Sequence, residues 1–249
     1  MSDLDRAYLD RRSLLRAAAF SGVALATSAV PRNALTEGAP LKIGVIGSGH
    51  IGSTIGSLWV KSGHPVMFSS RHPDELKPLI EGLGSLAQSG TVGEAIDFAD
   101  VVFIAVPYGA YPQIGKDYGS KLSGKVVLDA GNAVATRDGS ELATETKEEG
   151  IGLTSAKYLP GVRIVRAFNT MSYRYFASEA NRVGDRMAIP IAGDDKDALK
   201  IASTLVHDAG FDPVVIGPLA RAKDFSQGAP LYGLQLTAAE MRQKADALK

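Results

Sequence analysis

The sequence contains no cysteine among its 249 residues. Disulfide bonds, thiol nucleophiles and cysteine-based metal sites are therefore excluded. Its four histidines, His50, His64, His72 and His207, include no pair spaced four residues apart around an acidic residue. That spacing is the one a zinc-hydrolase helix requires, so we expect no metal site of this kind.

The chain also lacks an excess of either charge, with 27 Lys and Arg residues against 27 Asp and Glu residues. No long basic run is present, which argues against nucleic acid or an anionic membrane surface as the main partner. The mild apolar run from Ala17 to Val30 is too short and too rich in Ala and Ser to span a bilayer. We therefore expect no stable membrane insertion.

Residues 1–38 differ in composition from the rest of the chain. A charged start with Arg11-Arg12 precedes the apolar run, which is the order of a secretory signal. The pattern Arg-Arg-x-Leu-Leu resembles a twin-arginine signal, which exports folded proteins. Small residues offer cleavage after Ala26, Ala29 or Ala34. We predict a leader over residues 1–38 and a periplasmic location, with a short amphipathic or disordered leader on a cytoplasmic protein as the alternative.

From Leu41 onward, short apolar segments alternate with segments of helical periodicity. Continuous apolar strands alternating with helices are typical of a parallel sheet covered on both faces. Residues 39–249 are therefore predicted to form a single α/β domain, a Rossmann-type doubly wound and mostly parallel sheet, with a short helical tail from about Thr237. The predicted strands are 41–47, 65–69, a weak one near 86–87, 100–107, 124–132, 161–169, 187–193 and 213–217.

A glycine-rich loop joins the first predicted strand to the first predicted helix. Its sequence, Gly47-Ser48-Gly49-His50-Ile51-Gly52, fits the G-x-G-x-x-G pattern in the strand–loop–helix context that gives the pattern meaning. Gly47 would allow the tight turn, Gly49 the close approach of a diphosphate, and Gly52 the packing of the helix on the strand. The free N–H groups at the helix start would then bind phosphate. The loop predicts a dinucleotide cofactor.

The residues that follow the second strand favour one cofactor over the other. An NAD site places an acidic residue about 20 residues past the loop, where it binds the ribose hydroxyls. Here the chain has Ser69, Ser70 and Arg71 instead. A carboxylate about 4 Å from a 2′-phosphate would oppose it by roughly 4 kcal/mol per charge pair at an effective dielectric near 20. Hydroxyl donors and a guanidinium instead attract the 2′-phosphate. The sequence therefore predicts NADP(H) as the cofactor.

Other strand ends supply candidates for the rest of the site, because ligands bind at the carboxyl ends of such strands. Tyr108 would either flank the nicotinamide or pack against the following helix. Asn132 offers an amide to the ribose or nicotinamide, with a turn-forming role as the alternative. Asn169, Thr170 and Met171 close the sixth strand as candidate substrate contacts, although Asn169 or Thr170 could instead cap the next helix.

Several segments together resemble one family. These are GVIGSGHIGSTIG, FSSRHP, ADVVFIAVP, VVLDAGN, RAFNT and IAGDDKDALKIASTLVHDAGFDPVVIGPL, spread over about residues 41–233. They are similar to the NADPH-dependent deazaflavin (coenzyme F420) reductases and to the reductase domain of six-transmembrane metalloreductases. The resemblance implies hydride transfer between NADP(H) and a deazaflavin or flavin ring. It also implies that the cofactor contacts are Gly47, Ser48, Gly49, His50, Ile51, Gly52, Ser70 and Arg71, with Val106, Pro107 and Asn132 along its nicotinamide half.

The sequence departs from this family at one place. The archaeal deazaflavin enzymes carry His-Thr-Ile-Pro where this chain has Asn169-Thr170-Met171-Ser172. The departure moves the expected acceptor from deazaflavin toward the flavins of the other relatives.

The leading hypothesis is thus an NADPH-dependent oxidoreductase whose partner is a small-molecule redox acceptor, with a homodimer left open. No acid–base pair stands out as catalytic, which agrees with hydride transfer between stacked rings, a reaction that needs orientation more than a charged acid. One alternative is an NADP-binding sensor without turnover. Another is an imine reductase like pyrroline-5-carboxylate reductase, which would carry a helical dimerisation domain after the sheet.

Overall fold

A computed structural model describes residues 39–248 of the chain. Residues 1–38, on which the predicted leader falls, lie outside the described residues, as does Lys249. Over the described range, no helix combines the length and the apolar character needed to cross a membrane.

The centre of the described region is one eight-stranded sheet in the order β3-β2-β1-β4-β5-β6-β7-β8. Its strands are β1 Ile43–Ile46, β2 Val66–Ser69, β3 Ala87–Gly90, β4 Val101–Ile104, β5 Val126–Asp129, β6 Arg163–Arg166, β7 Ala188–Gly193 and β8 Asp212–Gly217. Each coincides with a predicted strand. β1 and β4–β7 are almost wholly buried, as expected for strands covered on both faces. The predicted α/β, mostly parallel fold is confirmed.

The first six strands are parallel, and β7 then reverses direction against β6. β8 is parallel to β7, so the last two strands run opposite to the others. The carboxyl ends of β1, β2 and β4–β6 consequently meet along one edge of the sheet. The chain order reverses between β1 and β4, and this is the point where such sheets bind ligands.

Ten α-helices connect the strands and cover both faces over residues 39–248. They are α1 His50–Lys61, α2 Lys77–Leu83, α3 Val92–Phe98, α4 Tyr111–Leu122, α5 Ala135–Asp138, α6 Ser140–Glu145, α7 Ile151–Tyr158, α8 Tyr173–Glu179, α9 Lys196–Asp208 and α10 Ala238–Asp246. Side chains cap several helix starts: Thr91 and Thr237 form capping boxes with Glu94 and Glu240, and Asp195 caps α9. α10 confirms the predicted helical tail.

An aromatic cluster ties α1 and α8 to the centre of the sheet. Trp59, Phe103, Phe168, Phe176 and Phe211 are fully buried and meet edge to face. The ring centroids of Trp59 and Phe103 are 5.1 Å apart, and the Trp59 indole N–H donates to the Leu205 carbonyl at 2.7 Å. The cluster fixes the helices that border the ligand edge of the sheet, because large rings at such distances pack without free rotation.

Candidate dinucleotide-binding site

The glycine loop follows β1 and turns sharply into α1. Gly47 has φ +94°, in the left-handed region that favours glycine, and a Cβ there would lie 2.8 Å from the Ala105 carbonyl oxygen. A Cβ on Gly52 would overlap the Gly47 carbonyl oxygen. The two glycines therefore allow the first turn of α1 to rest directly on the loop, as the sequence pattern predicts.

The start of α1 is an open site for an anion. Gly49 is the N-cap, no side chain caps the helix, and the first turn contains no acidic residue. The N–H groups of His50, Ile51 and Gly52 have no intrahelical carbonyl to bind, and the helix dipole adds partial positive charge there. A Cβ on Gly49 would meet no atom within 4 Å. The loop thus has both the donors and the space that a diphosphate needs.

The end of β2 lies beside this loop. The Ser48 N–H and hydroxyl donate to the Ser69 carbonyl at 3.1 and 3.0 Å, which joins the loop to the strand. The buried Ser69 hydroxyl donates to the Val45 carbonyl at 2.8 Å, so it is a structural group and is not directed at a ligand. Ser70 is half-buried and its hydroxyl accepts from the His72 N–H at 3.1 Å. Arg71 is exposed and forms no ion pair with another described residue.

Of the three candidate site residues after β4, only Val106 and Pro107 lie at the ligand edge of the sheet. Val106 is half-buried against the Gly47 turn and Pro107 is exposed, so both lie at the ligand edge. Tyr108 is fully buried; its ring stacks on Tyr111 of α4 at 4.4 Å and its hydroxyl contacts the Ser155 hydroxyl at 2.8 Å. Burial raises the pKa of the Tyr108 phenol well above its ordinary value. The structure supports the packing alternative for Tyr108 and does not place it in contact with a ligand.

Two asparagines meet at the ends of β5 and β6. The Asn132 side-chain amide donates to the Asn169 carbonyl at 2.6 Å, and the Asn169 amide donates to the Asn132 Oδ1 at 3.3 Å and to the Phe225 carbonyl at 3.1 Å. Neither Asn169 nor Thr170 caps α8, because the Ser172 hydroxyl does so. Asn169, Thr170 and Met171 are all buried, and the Asn169 Oδ1 and Thr170 hydroxyl have no hydrogen-bond partner within residues 39–248.

A strained residue produces the turn that carries Asn169. Phe168 has φ 59°, in the left-handed region, although it is not glycine. This conformation costs a bulky side chain about 1–2 kcal/mol. The Phe168 ring is held inside the aromatic cluster, which offsets the strain. The left-handed conformation of Phe168 therefore turns the chain so that Asn169 lies against Asn132 at the ligand edge.

Beneath the two asparagines lies an ion pair that the sequence reasoning missed. Asp129 ends β5, Arg166 ends β6, and the Arg166 Nη1 lies 2.7 Å from the Asp129 Oδ1 with both side chains fully buried. The Tyr111 hydroxyl donates to the same carboxylate oxygen at 2.5 Å. Burial, and then the Asp129 charge, raise the pKa of Tyr111 well above its ordinary value. One signal was present in the sequence: a charged residue follows directly after the apolar residues of each strand, VVL in β5 and IV in β6.

A stacked pair of rings links the glycine loop to α8. The His50 imidazole lies 4.2 Å from the Tyr173 ring with an interplanar angle of 10°. The Arg174 Nε donates to the Tyr173 hydroxyl at 3.4 Å. In the part of the chain that the structure describes, no three His, Asp or Glu side chains converge as metal ligands.

The comparison with known families agrees with this geometry. The family described as "NADP oxidoreductase coenzyme F420-dependent" matches residues 42–133. This dinucleotide-binding segment is therefore similar to that family over about a third of the chain. The matched residues contain the glycine loop, the Ser70-Arg71 pair and the strand ends that carry Val106 and Asn132.

Similarity to an individual protein extends over more of the chain. Metalloreductase STEAP3 of Rattus norvegicus is 29% identical over 187 residues, which cover 74% of this chain and 35% of that protein. The chain thus spans about a third of this curated relative's length.

Solved structures give the same fold. The hypothetical protein SMa0349 from Sinorhizobium meliloti is 28% identical, with a TM-score of 0.67 over 80% of this chain and 96% of that one. A protein described as an F420-dependent NADP-reductase from Arthrobacter sp. FB24 is 20% identical, with a TM-score of 0.64 over 74% and 87% of the two chains.

The glycine loop yields a matched pair of substitutions. Gly49→Ala should leave the free energy of unfolding within about 1 kcal/mol of the wild type, since only the capping preference changes. It should nevertheless weaken NADPH binding, because the added methyl occupies the space above the loop. Gly52→Ala should lower the free energy of unfolding by about 1–3 kcal/mol, as overpacked sites do.

Urea unfolding and NADPH titration of both variants measure these effects. Unchanged NADPH affinity in a stably folded Gly49→Ala protein would contradict the assignment of the loop.

Proposed function

We propose that the chain binds NADP(H) across the carboxyl ends of β1, β2 and β4–β6 and catalyses hydride transfer to or from a flavin-type ring. The observation that carries this proposal is the uncapped start of α1 beside Ser70 and Arg71. The first feature suits a diphosphate and the second suits a 2′-phosphate. The cofactor supplies the hydride, and the chain's own residues bind it, orient it and select it.

The preference for a phosphorylated cofactor rests on charge. Arg71 is exposed, is not paired with any carboxylate of the described residues, and follows directly from the strand that hydrogen-bonds to the loop. The Ser70 hydroxyl already accepts a backbone N–H, which leaves its proton free to be donated to a phosphate oxygen. A guanidinium and a hydroxyl together match the charge and the acceptors of a phosphate.

The kind of acceptor follows from what surrounds the nicotinamide end. The side chains assigned there, those of Val106, Pro107, Asn132 and Asn169, carry no ionisable group. The charged groups close to Asn132 are paired with each other: Asp129 with Arg166 in the interior, and Arg137, which donates to the Asn132 carbonyl at 2.7 Å, with Asp138. A carbonyl or imine substrate needs a proton donor as the hydride arrives, whereas a flavin or deazaflavin ring takes the hydride directly. The segment Asn169-Thr170-Met171-Ser172 supports flavin over deazaflavin.

The two alternative functions, an imine reductase and an NADP-binding sensor, are distinguished by different observations. An imine reductase of the pyrroline-5-carboxylate type would carry a helical dimerisation domain after the sheet. The chain instead continues β7–α9–β8 and extends the sheet. A sensor without turnover would bind NADPH as tightly as an enzyme does, so only the measurement of turnover separates the two.

The cofactor preference is tested by Arg71→Ala. Loss of a hydrogen bond to a charged group costs about 1.5–3 kcal/mol, so NADPH affinity should fall roughly 10- to 100-fold. NADH affinity should change by less than about threefold, since NADH has no 2′-phosphate for Arg71 to bind. Titration of both nucleotides measures the ratio, with Arg242→Ala on the exposed face of α10 as the control. Equal weakening of NADPH and NADH would overturn the preference.

The acceptor is tested by following NADPH absorbance with riboflavin, FMN, FAD, coenzyme F420 and ferric chelates in turn. We expect sustained oxidation with a flavin, slower oxidation with coenzyme F420, and oxidation of ferric chelates only when flavin is present. Tight NADPH binding with no oxidation by any of these acceptors would favour the sensor.

We also propose that residues 1–38 export the folded protein through the twin-arginine route. Export after folding would let NADP(H) travel already bound to its site. The protein isolated from its native host should then begin at a residue after Ala26, Ala29 or Ala34. Amino-terminal sequencing that instead finds Met1 on the mature protein would reject this proposal.

A further inference from the structure

The buried ion pair joins the two strands whose ends carry the paired asparagines. Asp129 and Arg166 are register partners on the parallel strands β5 and β6. Both side chains are fully buried and 2.7 Å apart. Burying two charges carries a desolvation cost that their attraction often fails to recover, so an apolar pair of similar size would serve stability as well or better. Stability alone therefore does not account for the presence of this pair.

The contacts of the pair converge on the backbone of Gly131. The Arg166 Nη2 donates to the Gly131 carbonyl at 2.5 Å, and the Gly131 N–H donates to the Asp129 Oδ1 at 2.9 Å. A Cβ on Gly131 would lie 2.5 Å from the Tyr111 hydroxyl oxygen and 2.9 Å from the Tyr108 ring. The Gly131 N–H is thus held by the Asp129 carboxylate and the Gly131 carbonyl by the Arg166 guanidinium. The stacked rings of Tyr108 and Tyr111 fill the space beside the Gly131 Cα.

The next residue after Gly131 is Asn132. Its side-chain amide donates to the carbonyl of Asn169, which lies three residues beyond Arg166. The two strand ends are therefore joined twice, by the ion pair below and by the asparagines at the ligand edge.

The pair is not arranged for complete hydrogen bonding. The Asp129 Oδ2 and the Arg166 Nε have no hydrogen-bond partner within the described residues, and the Arg166 Nη1 makes only the ion-pair contact with Asp129. Buried polar atoms without partners cost free energy, which is tolerated where a fixed geometry is needed.

From these contacts we infer that Asp129 and Arg166 are positioning residues, which hold the Gly131 backbone so that Asn132 meets the nicotinamide half of the cofactor in one orientation. Tyr111 is the third member of this positioning group. The inference rests on the proposed function, since it assigns the group to the nicotinamide half of the NADP(H) site. The adenine half, formed by Ser70 and Arg71, is independent of it.

The test is a double substitution with apolar residues of similar size, Asp129→Leu with Arg166→Met. The variant should stay folded, because no buried charge is left unpaired, with a lower Tm because the Tyr111 hydroxyl and the Gly131 N–H and carbonyl lose their partners. Adenosine 2′,5′-bisphosphate, a probe of the adenine half alone, should bind with unchanged affinity.

In the same variant, the nicotinamide half of the site should no longer contribute to NADP⁺ affinity or to kcat. The affinity advantage of NADP⁺ over adenosine 2′,5′-bisphosphate, measured by calorimetry, should shrink to the part that the second phosphate contributes at the glycine loop. With the flavin that the wild type reduces, kcat should fall by about 100-fold, the loss expected from misplacement by about an ångström. The KM for NADPH should change much less than kcat, because the adenine half still anchors the cofactor.

A milder variant covers the case in which the double variant does not fold. Tyr111→Phe removes one hydrogen bond to Asp129 and leaves the ion pair intact. It should lower kcat several-fold, with a smaller change in adenosine 2′,5′-bisphosphate affinity. Tyr118→Phe is the matched control on the same helix, since its ring lies beside Gly93 of α3 and away from the pair. It should leave kcat unchanged.

The outcomes separate this inference from the proposed function. A stable double variant that keeps the NADP⁺ advantage and the wild-type kcat overturns the positioning role, as does a Tyr111→Phe protein with the kcat of Tyr118→Phe. If wild-type protein fails to bind adenosine 2′,5′-bisphosphate, the NADP(H) assignment itself is wrong.

Discussion

The first turn of α1 rests on the carbonyl of Gly47 with no room for a side chain between them. This contact sets the direction of α1, and with it the direction of the free N–H groups at the helix start. It also fixes Ser48, whose N–H and hydroxyl bind the end of β2 and so bring Ser70 and Arg71 alongside the loop. The groups that we propose bind the diphosphate and the 2′-phosphate thus depend on the same contact between α1 and Gly47.

The other half of the site is built by different forces. Packing of the aromatic cluster holds Phe168 in a left-handed conformation that turns Asn169 toward Asn132. Below them, the Asp129–Arg166 pair acts on the Gly131 backbone through charge. The proposed adenine half therefore depends on backbone contacts within the first strand–helix–strand unit. The proposed nicotinamide half depends on contacts between strands and helices that are distant in sequence.

This difference explains what the sequence could and could not predict. The glycine loop, the strands and the caps at Thr237 and Asp195 are local patterns, so they were predictable. The reversal of β7 is not local, because strand–helix alternation does not reveal which way a strand enters the sheet. The helices α5–α7 were also missed, since residues 135–158 show little apolar periodicity and depend on tertiary packing.

Within the site, the missed features share a cause. Tyr108 lies four residues after the end of β4, and only the position of α7 shows that its ring turns inward to Ser155. Asp129 and Arg166 are 37 residues apart in the chain, and only the register of β5 and β6 shows that they pair. The role of Tyr108 and the pairing of Asp129 with Arg166 each depend on a contact between secondary-structure elements. Local sequence patterns carry no information about such contacts.

We propose that one continuous edge of the sheet holds NADP(H), with phosphate selection at β2 and nicotinamide placement at β5. A crystal structure with NADP⁺ bound tests it most directly. We expect the diphosphate on the N–H groups of His50, Ile51 and Gly52, the 2′-phosphate within hydrogen-bond distance of Ser70 and Arg71, and the nicotinamide beside Asn132. A cofactor bound with its 2′-phosphate in solvent, or away from this edge, would contradict this placement.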